Sequence, residues 1–246
     1  MTELEWYQSS SVLEMLGFLR SGSGRAKLRG SMSRSQCNRK LLLFLVACCR
    51  RLSDTSLDAR SLHAISVAER RADGLASGEE AAAARENAEQ AYRERRSGTD
   101  VPASMAACSV MELARFAERQ VFSHAIYIAD LAVLARSLHQ PQQAGVPSSA
   151  LIPSRDESEQ AFQAASLRDV FGSPFRSWNV DASLTSSAAI HLAAAMYESG
   201  DFDSMPALAT AMEAAACCDQ EILSHCREPQ FHTRGCWVVD LILGKS

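Results

Sequence analysis

The chain has 246 residues, of which 47% are hydrophobic and 22% charged, and its formal net charge is −4. That length and composition can bury a self-sufficient core and exclude wholesale disorder. Glycine and proline are sparse, 12 and 7, while alanine comes in runs such as "EEAAAARENAEQA". Alanine loses no side-chain entropy in a helix and packs poorly on a pleated surface, so the expected fold is all-α.

Taken in chain order, the acidic "MTELEWYQSS" lacks the charged-then-apolar layout of a signal peptide. A short segment over 12–20 precedes a loop-like stretch, 21–40, rich in Ser, Gly, Arg and Lys. Helical patterns follow at 37–53, 58–75 and 78–97. In the first, Leu41, Leu45, Cys48 and Leu52 form one stripe and Leu42, Phe44 and Cys49 lie opposite, which predicts a helix buried all round. Its nine-residue apolar run "LLLFLVACC" is far short of the ~20 residues that cross a bilayer. The chain is therefore expected in the cytoplasm, without membrane attachment and with its eight cysteines as thiols.

From Ala106 through Val110, Leu113, Ala117, Val121, His124, Ile128 and Leu131 to Ala135, a 3.6-residue period predicts one long central helix over 103–137. Prolines, glycine and serines then mark 139–158 as a linker between an N-terminal helical part, 1–138, and a C-terminal one, 159–246. Helices are expected at 157–171, 185–199, 204–217, 219–227 and 235–243, with Ser204 and Asp219 as caps. Together these elements describe an irregular multi-helix bundle, with both parts packed as one domain.

Two constellations carry candidate chemistry. Between Glu14 and Asp54 there is no acidic residue, while Arg25, Lys27, Arg29, Arg34, Arg39 and Lys40 are all basic. Such a segment can hold a polyanion such as nucleic acid. Against this, the stretch 21–36 has no aromatic residue for base stacking, and pairing with acidic helices of the same chain is the commoner outcome. The second is "HCREPQFHTRGCW", where His225, Cys226, His232 and Cys236 are of the types zinc prefers. The spacing argues otherwise, because His225 and Cys226 are adjacent and no CxxC or HxxxH occurs. A Cys/His nucleophile has the residue types alone. The plainer expectation is that Trp237 to Leu243 forms a buried helix. Cys226 and Cys236 then fill the core, while His225, Arg227, His232 and Arg234 cap helix ends or meet Asp240. His124 and His191 are expected as core histidines, and Asp201 and Asp203 as turn residues.

Phosphate-loop, dinucleotide and serine-hydrolase motifs are absent, and nothing in the sequence calls for a cofactor. The leading expectation is a non-enzymatic interaction or scaffold module with a protein partner. The alternatives are a zinc- or thiol-dependent protein using the C-terminal cluster, and a polyanion binder using the basic segment. "SLRDVFGSPFR", "LLLFLVACCRRL", "SVAERRADGLASGEE" and above all "HCREPQFHTRGCWVVDLILGK" resemble a family of small helical proteins found in many copies in planctomycete-type bacteria. The resemblance implies a helical fold and a bacterial cytosol, and no reaction. The Ser/Gly/Arg stretch before "KLLLFLVACC" is expanded relative to that pattern.

Overall fold

The structure is a computed structural model that describes residues 1–24, 26, 32–55, 57–119, 122–139, 157–178 and 180–245. The fold is all-α, with no strand among the described residues. In chain order the helices are α1 (Glu3–Gln8), α2 (Val12–Arg20), α3 (Arg34–Arg50), α4 (Ala59–Ala72), α5 (Gly78–Arg95) and α6 (Val101–Arg119). They continue as α7 (Phe122–His139), α8 (Glu157–Phe171), α9 (Ser187–Ser199), α10 (Met205–Ala214), α11 (Gln220–Arg227) and α12 (Trp237–Ile242). Local chemistry sets many of their starts. The Ser33, Asp58, Ser77, Ser186 and Asp219 side chains each accept a first-turn backbone N–H. Ser204 occupies the cap position of α10 without such a bond, and Pro206 sits in that helix's first turn.

The central element is α3. Residues Lys40 through Cys49 are all buried, as the apolar pattern on both its sides requires, and it packs against α4, α6, α7 and α8. The single long helix expected over 103–137 is instead two, α6 and α7, packed against each other. Ser109 Oγ donates to the Ile128 carbonyl at 3.2 Å, whereas residues nineteen apart in one straight helix stand about 28 Å apart. The apolar period runs through the reversal because both helices present their stripes to the same core.

Two hydrophobic clusters result. The larger is built from α1 to α8, the smaller from 184–242. The cores thus part after Phe171, because α8 buries Ala164, Leu167 and Val170 in the larger one. Most of the linker expected at 139–158, namely 140–156, lies outside the described residues. At its C-terminal end α8 is fixed by α1: Trp6 Nε1 donates to the Gly172 carbonyl at 3.0 Å, and Arg168 donates to the Trp6 and Ser9 carbonyls. The smaller core rests on this assembly through α12, which touches α8 and whose residues are all buried.

Candidate metal centre

The carbonyls of residues 228–235 enter no regular helix, so the segment between α11 and α12 is free to fold back against α8. Gly235 makes this possible. Its φ of +93° is a conformation that side chains rarely adopt, and an added Cβ would lie 2.8 Å from Leu43 Cδ1 on α3. A turn from the Thr233 carbonyl to the Cys236 N–H at 2.9 Å then places His232 and Cys236 on one side. His225, in the last turn of α11, completes that side, and Asp169 of α8 faces all three.

The four ligand atoms, one each from Asp169, His225, His232 and Cys236, all lie within 4.8 Å of one another. Asp169 Oδ1 is 2.7 Å from His232 Nδ1 and 3.2 Å from His225 Nε2. Cys236 Sγ is 3.3 Å from His225 Nε2 and 3.9 Å from His232 Nδ1. Ligand atoms at ordinary zinc bond lengths stand about 3.3–3.6 Å apart in a tetrahedron, so these separations bracket that geometry. The centre is enclosed: Asp169 and Cys236 are fully buried and the two imidazoles nearly so.

The geometry separates a metal site from a nucleophilic one. A Cys–His–Asp relay needs thiol and carboxylate on opposite nitrogens of one ring, so that a proton can pass through it. Here His225 presents the same Nε2 to both the thiol and the carboxylate, and His232 presents the same Nδ1 to both. The donors converge on a point. Burial and then the Asp169 charge push the Cys236 thiol well above its ordinary pKa, while the Val239 and Val238 backbone N–H groups act the other way. Without a cation, that thiol is no nucleophile. Burial pushes the Asp169 carboxyl up, but hydrogen bonds from His225 and His232 more than offset this and hold it below the ordinary range.

An outer layer orients the four. The Thr233 N–H donates to Asp169 Oδ2 at 3.0 Å, leaving Oδ1 to the centre. Gln230 Nε2 lies 3.0 Å from His225 Nδ1 and donates to the His225 carbonyl at 3.3 Å; with a metal on Nε2 and the ring proton on Nδ1, the amide would turn over to present its oxygen there. His225 also packs on Trp237, which stacks on Trp178 at 4.3 Å.

Three of the four candidate ligands read from the sequence therefore meet. Cys226 does not. It turns into the smaller core, where burial raises its thiol to about 12. Its adjacency to His225, an objection to a metal in the sequence, is immaterial because successive side chains leave α11 about 100° apart, and only His225 faces Asp169. His225 and His232 are corrected from helix caps to partners of Asp169. Arg234 does cap, donating to the Tyr197 and Glu198 carbonyls at the end of α9.

Asp169 is the ligand that sequence reasoning missed. It lies 63 residues before His232, on a polar stripe of α8 with Glu159, Gln163 and Ser166 that the expectation of a helix over 157–171 does not single out. That stripe is buried throughout. The available signal was a helix with apolar residues on one side and no basic residue among the polar ones opposite.

Two residues of the basic segment, Arg39 and Lys40, are committed elsewhere. Lys40 is buried, donating to the Val170 carbonyl at 2.8 Å and to Asp240 Oδ2 at 3.1 Å. Arg39 donates to Asp240 at 2.6 Å, Asp73 at 2.9 Å and the Tyr197 hydroxyl at 2.6 Å. Neither can meet a polyanion without abandoning a buried carboxylate. Arg34 is exposed, while Arg25, Lys27 and Arg29 lie outside the described residues. His191 is exposed rather than in the core, and His124 is half-buried. Asp201 accepts the Asp203 N–H, as expected of a turn. Among the described residues, no helix is long and apolar enough to cross a membrane.

No family model, curated protein or solved structure matches the chain.

Proposed function

We propose that this chain is a zinc-binding helical scaffold without catalytic activity, whose ion pins the C-terminal core onto the N-terminal one. The observation that carries this reading is the convergence of Asp169 Oδ1, His225 Nε2, His232 Nδ1 and Cys236 Sγ within 4.8 Å of one another. Two imidazoles, a thiolate and a carboxylate are a zinc donor set, and four protein ligands leave no open position for substrate, as in structural rather than catalytic sites. Asp169 belongs to α8 of the larger core, and the other three to elements of the smaller one. An ion bound there would cross-link them. A pinned scaffold of this kind fits a protein that presents helical surfaces to a protein partner.

The test is metal analysis of the untagged chain, with about one zinc per chain expected. Cobalt-substituted protein should show tetrahedral d–d absorption and a thiolate-to-cobalt charge-transfer band, the latter lost in Cys236→Ser. Protein that purifies folded with negligible transition metal, and takes up neither zinc nor cobalt, would overturn the reading.

A further inference from the structure

Behind His232 the surface opens into a cavity of about 390 Å³, a volume typical of small-molecule sites. Its lining carries three guanidinium groups, Arg50, Arg51 and Arg234, against one carboxylate, Glu69. Arg234 is fully engaged, with Glu69 at 2.5 Å and the Tyr197 and Glu198 carbonyls at 2.7 Å each. Arg50 is different. It is half exposed and donates to Glu69 from Nη2 at 2.6 Å. Arg51 lies 4.3 Å above the Phe162 ring and gives its Nε to the buried Glu159. Glu69 Oε2 therefore serves two guanidinium groups at once, and the lining keeps an excess of positive charge. Glu198 and Asp201 flank the Ser199–Gly200 turn without lining the cavity.

A second observation comes from His232 itself. The residue is part of the cavity lining, its side chain is 5% exposed, and its Nε2 is buried without a hydrogen-bond partner. If Nδ1 is given to a metal, Nε2 must carry the ring proton, and a metal-bound imidazole almost always donates that proton to an oxygen. Phe202 and the half-exposed Phe231 supply the apolar part of the lining, beside Ser199 and Thr233.

We propose that this cavity binds a small organic oxyanion, a phosphate or carboxylate head with an apolar body. The head meets Arg50 and Arg51 and offers an acceptor toward the His232 side of the wall, and the body lies against Phe202 and Phe231. Guanidinium forks match planar or tetrahedral oxyanions, which sets the chemical class of the head. The inference rests on the metal reading only in placing the ring proton of His232 on Nε2.

Isothermal titration of the zinc-loaded full chain with phenyl phosphate, benzoate and inorganic phosphate tests it. Saturable one-site binding of phenyl phosphate or benzoate is expected, and the tighter of the two identifies the head. Binding should weaken about tenfold in Arg50→Gln, which removes one charged donor from a half-exposed position. Phe231→Ala should weaken phenyl phosphate and benzoate but leave inorganic phosphate unchanged, which a general loss of structure would not do. Absence of saturable binding by either aromatic anion, or binding undiminished in Arg50→Gln, would overturn the site. Zinc is measured on the same samples. A zinc-loaded chain that binds no anion defeats the cavity alone, and a zinc-free chain that binds through Arg50 defeats the metal alone.

Discussion

Two buried polar clusters join the two cores of this chain, and they are built on opposite principles. Around Asp240, three cations meet two anions: Arg39 and Lys40 donate to Asp240, Arg39 also to Asp73, and Lys245 Nζ lies 3.8 Å from Asp73, with the Tyr197 hydroxyl donating to Asp73 at 2.6 Å. Each of these groups has a partner of opposite character, so the cluster is complete as protein. Around Asp169, His225 Nε2 and His232 Nδ1 hydrogen-bond to the carboxylate as N–H donors and, without those protons, would join Cys236 Sγ in offering lone pairs to an ion. Nothing in that arrangement is cationic unless an imidazole takes up a proton. The lesson is that two buried polar clusters can differ in kind: one holds cations of its own beside its carboxylates, whereas the proposed metal site holds groups that carry no positive charge when neutral.

The comparison can be broken by substitutions on each side. Asp240→Ala should have the largest effect, about 3–5 kcal/mol in denaturant titration, because it leaves Arg39 and Lys40 buried without their counter-charge. This variant should keep its zinc, and chelation should still lower its melting temperature. Loss of zinc in Asp240→Ala would show that the clusters are not independent. Next, chelating zinc from the wild-type chain should cost about 4 kcal/mol relative to protein held at a free zinc level about a thousandfold above Kd. Asp169→Asn should abolish most of that difference, and an Asp169→Asn melt that responds to chelator as the wild type does would remove Asp169 from the ligand set.

Smaller effects sharpen the boundary between the clusters. Gly235→Ala places a Cβ 2.8 Å from Leu43 Cδ1 in a left-handed conformation. It should cost about 1–3 kcal/mol and weaken zinc binding, since the same turn carries His232 and Cys236. An alanine variant with full stability and full zinc affinity would mean that the turn does not position the ligands. Arg227→Ala removes an exposed ion pair between α11 and Glu213 of α10 and should change stability by less than about 1 kcal/mol. A larger loss there would assign the smaller core a dependence on surface charge that its burial pattern does not call for.

Much of the architecture was legible before any coordinates. Alanine runs, the Asp219 cap and apolar periods placed most helices within a few residues, and the two-sided apolar pattern of 41–52 marked α3 as buried. The apolar run from Trp237 announced a buried last helix, and Trp237 is 6% exposed. The dense "HCREPQFHTRGCW" drew attention to three of the four ligands. What was misread has a common cause. Periodicity reports which residues share a face but not what covers that face, so α6 and α7 read as one helix and nothing in the helix expected at 157–171 set Asp169 apart.

By itself, the sequence determined the helical class, the positions of the caps and the apolar faces, because these depend on residues within one or two turns of each other. It also supplied the imidazoles and thiols. The tertiary structure decided which of them meet: Cys226 was diverted to the core, Asp169 was brought in from a distant helix, and Arg39 and Lys40 were drawn inward to neutralise Asp240. Such choices depend on contacts between residues dozens or hundreds of positions apart, where the cost of burying a charge is settled by whatever partner the fold places beside it.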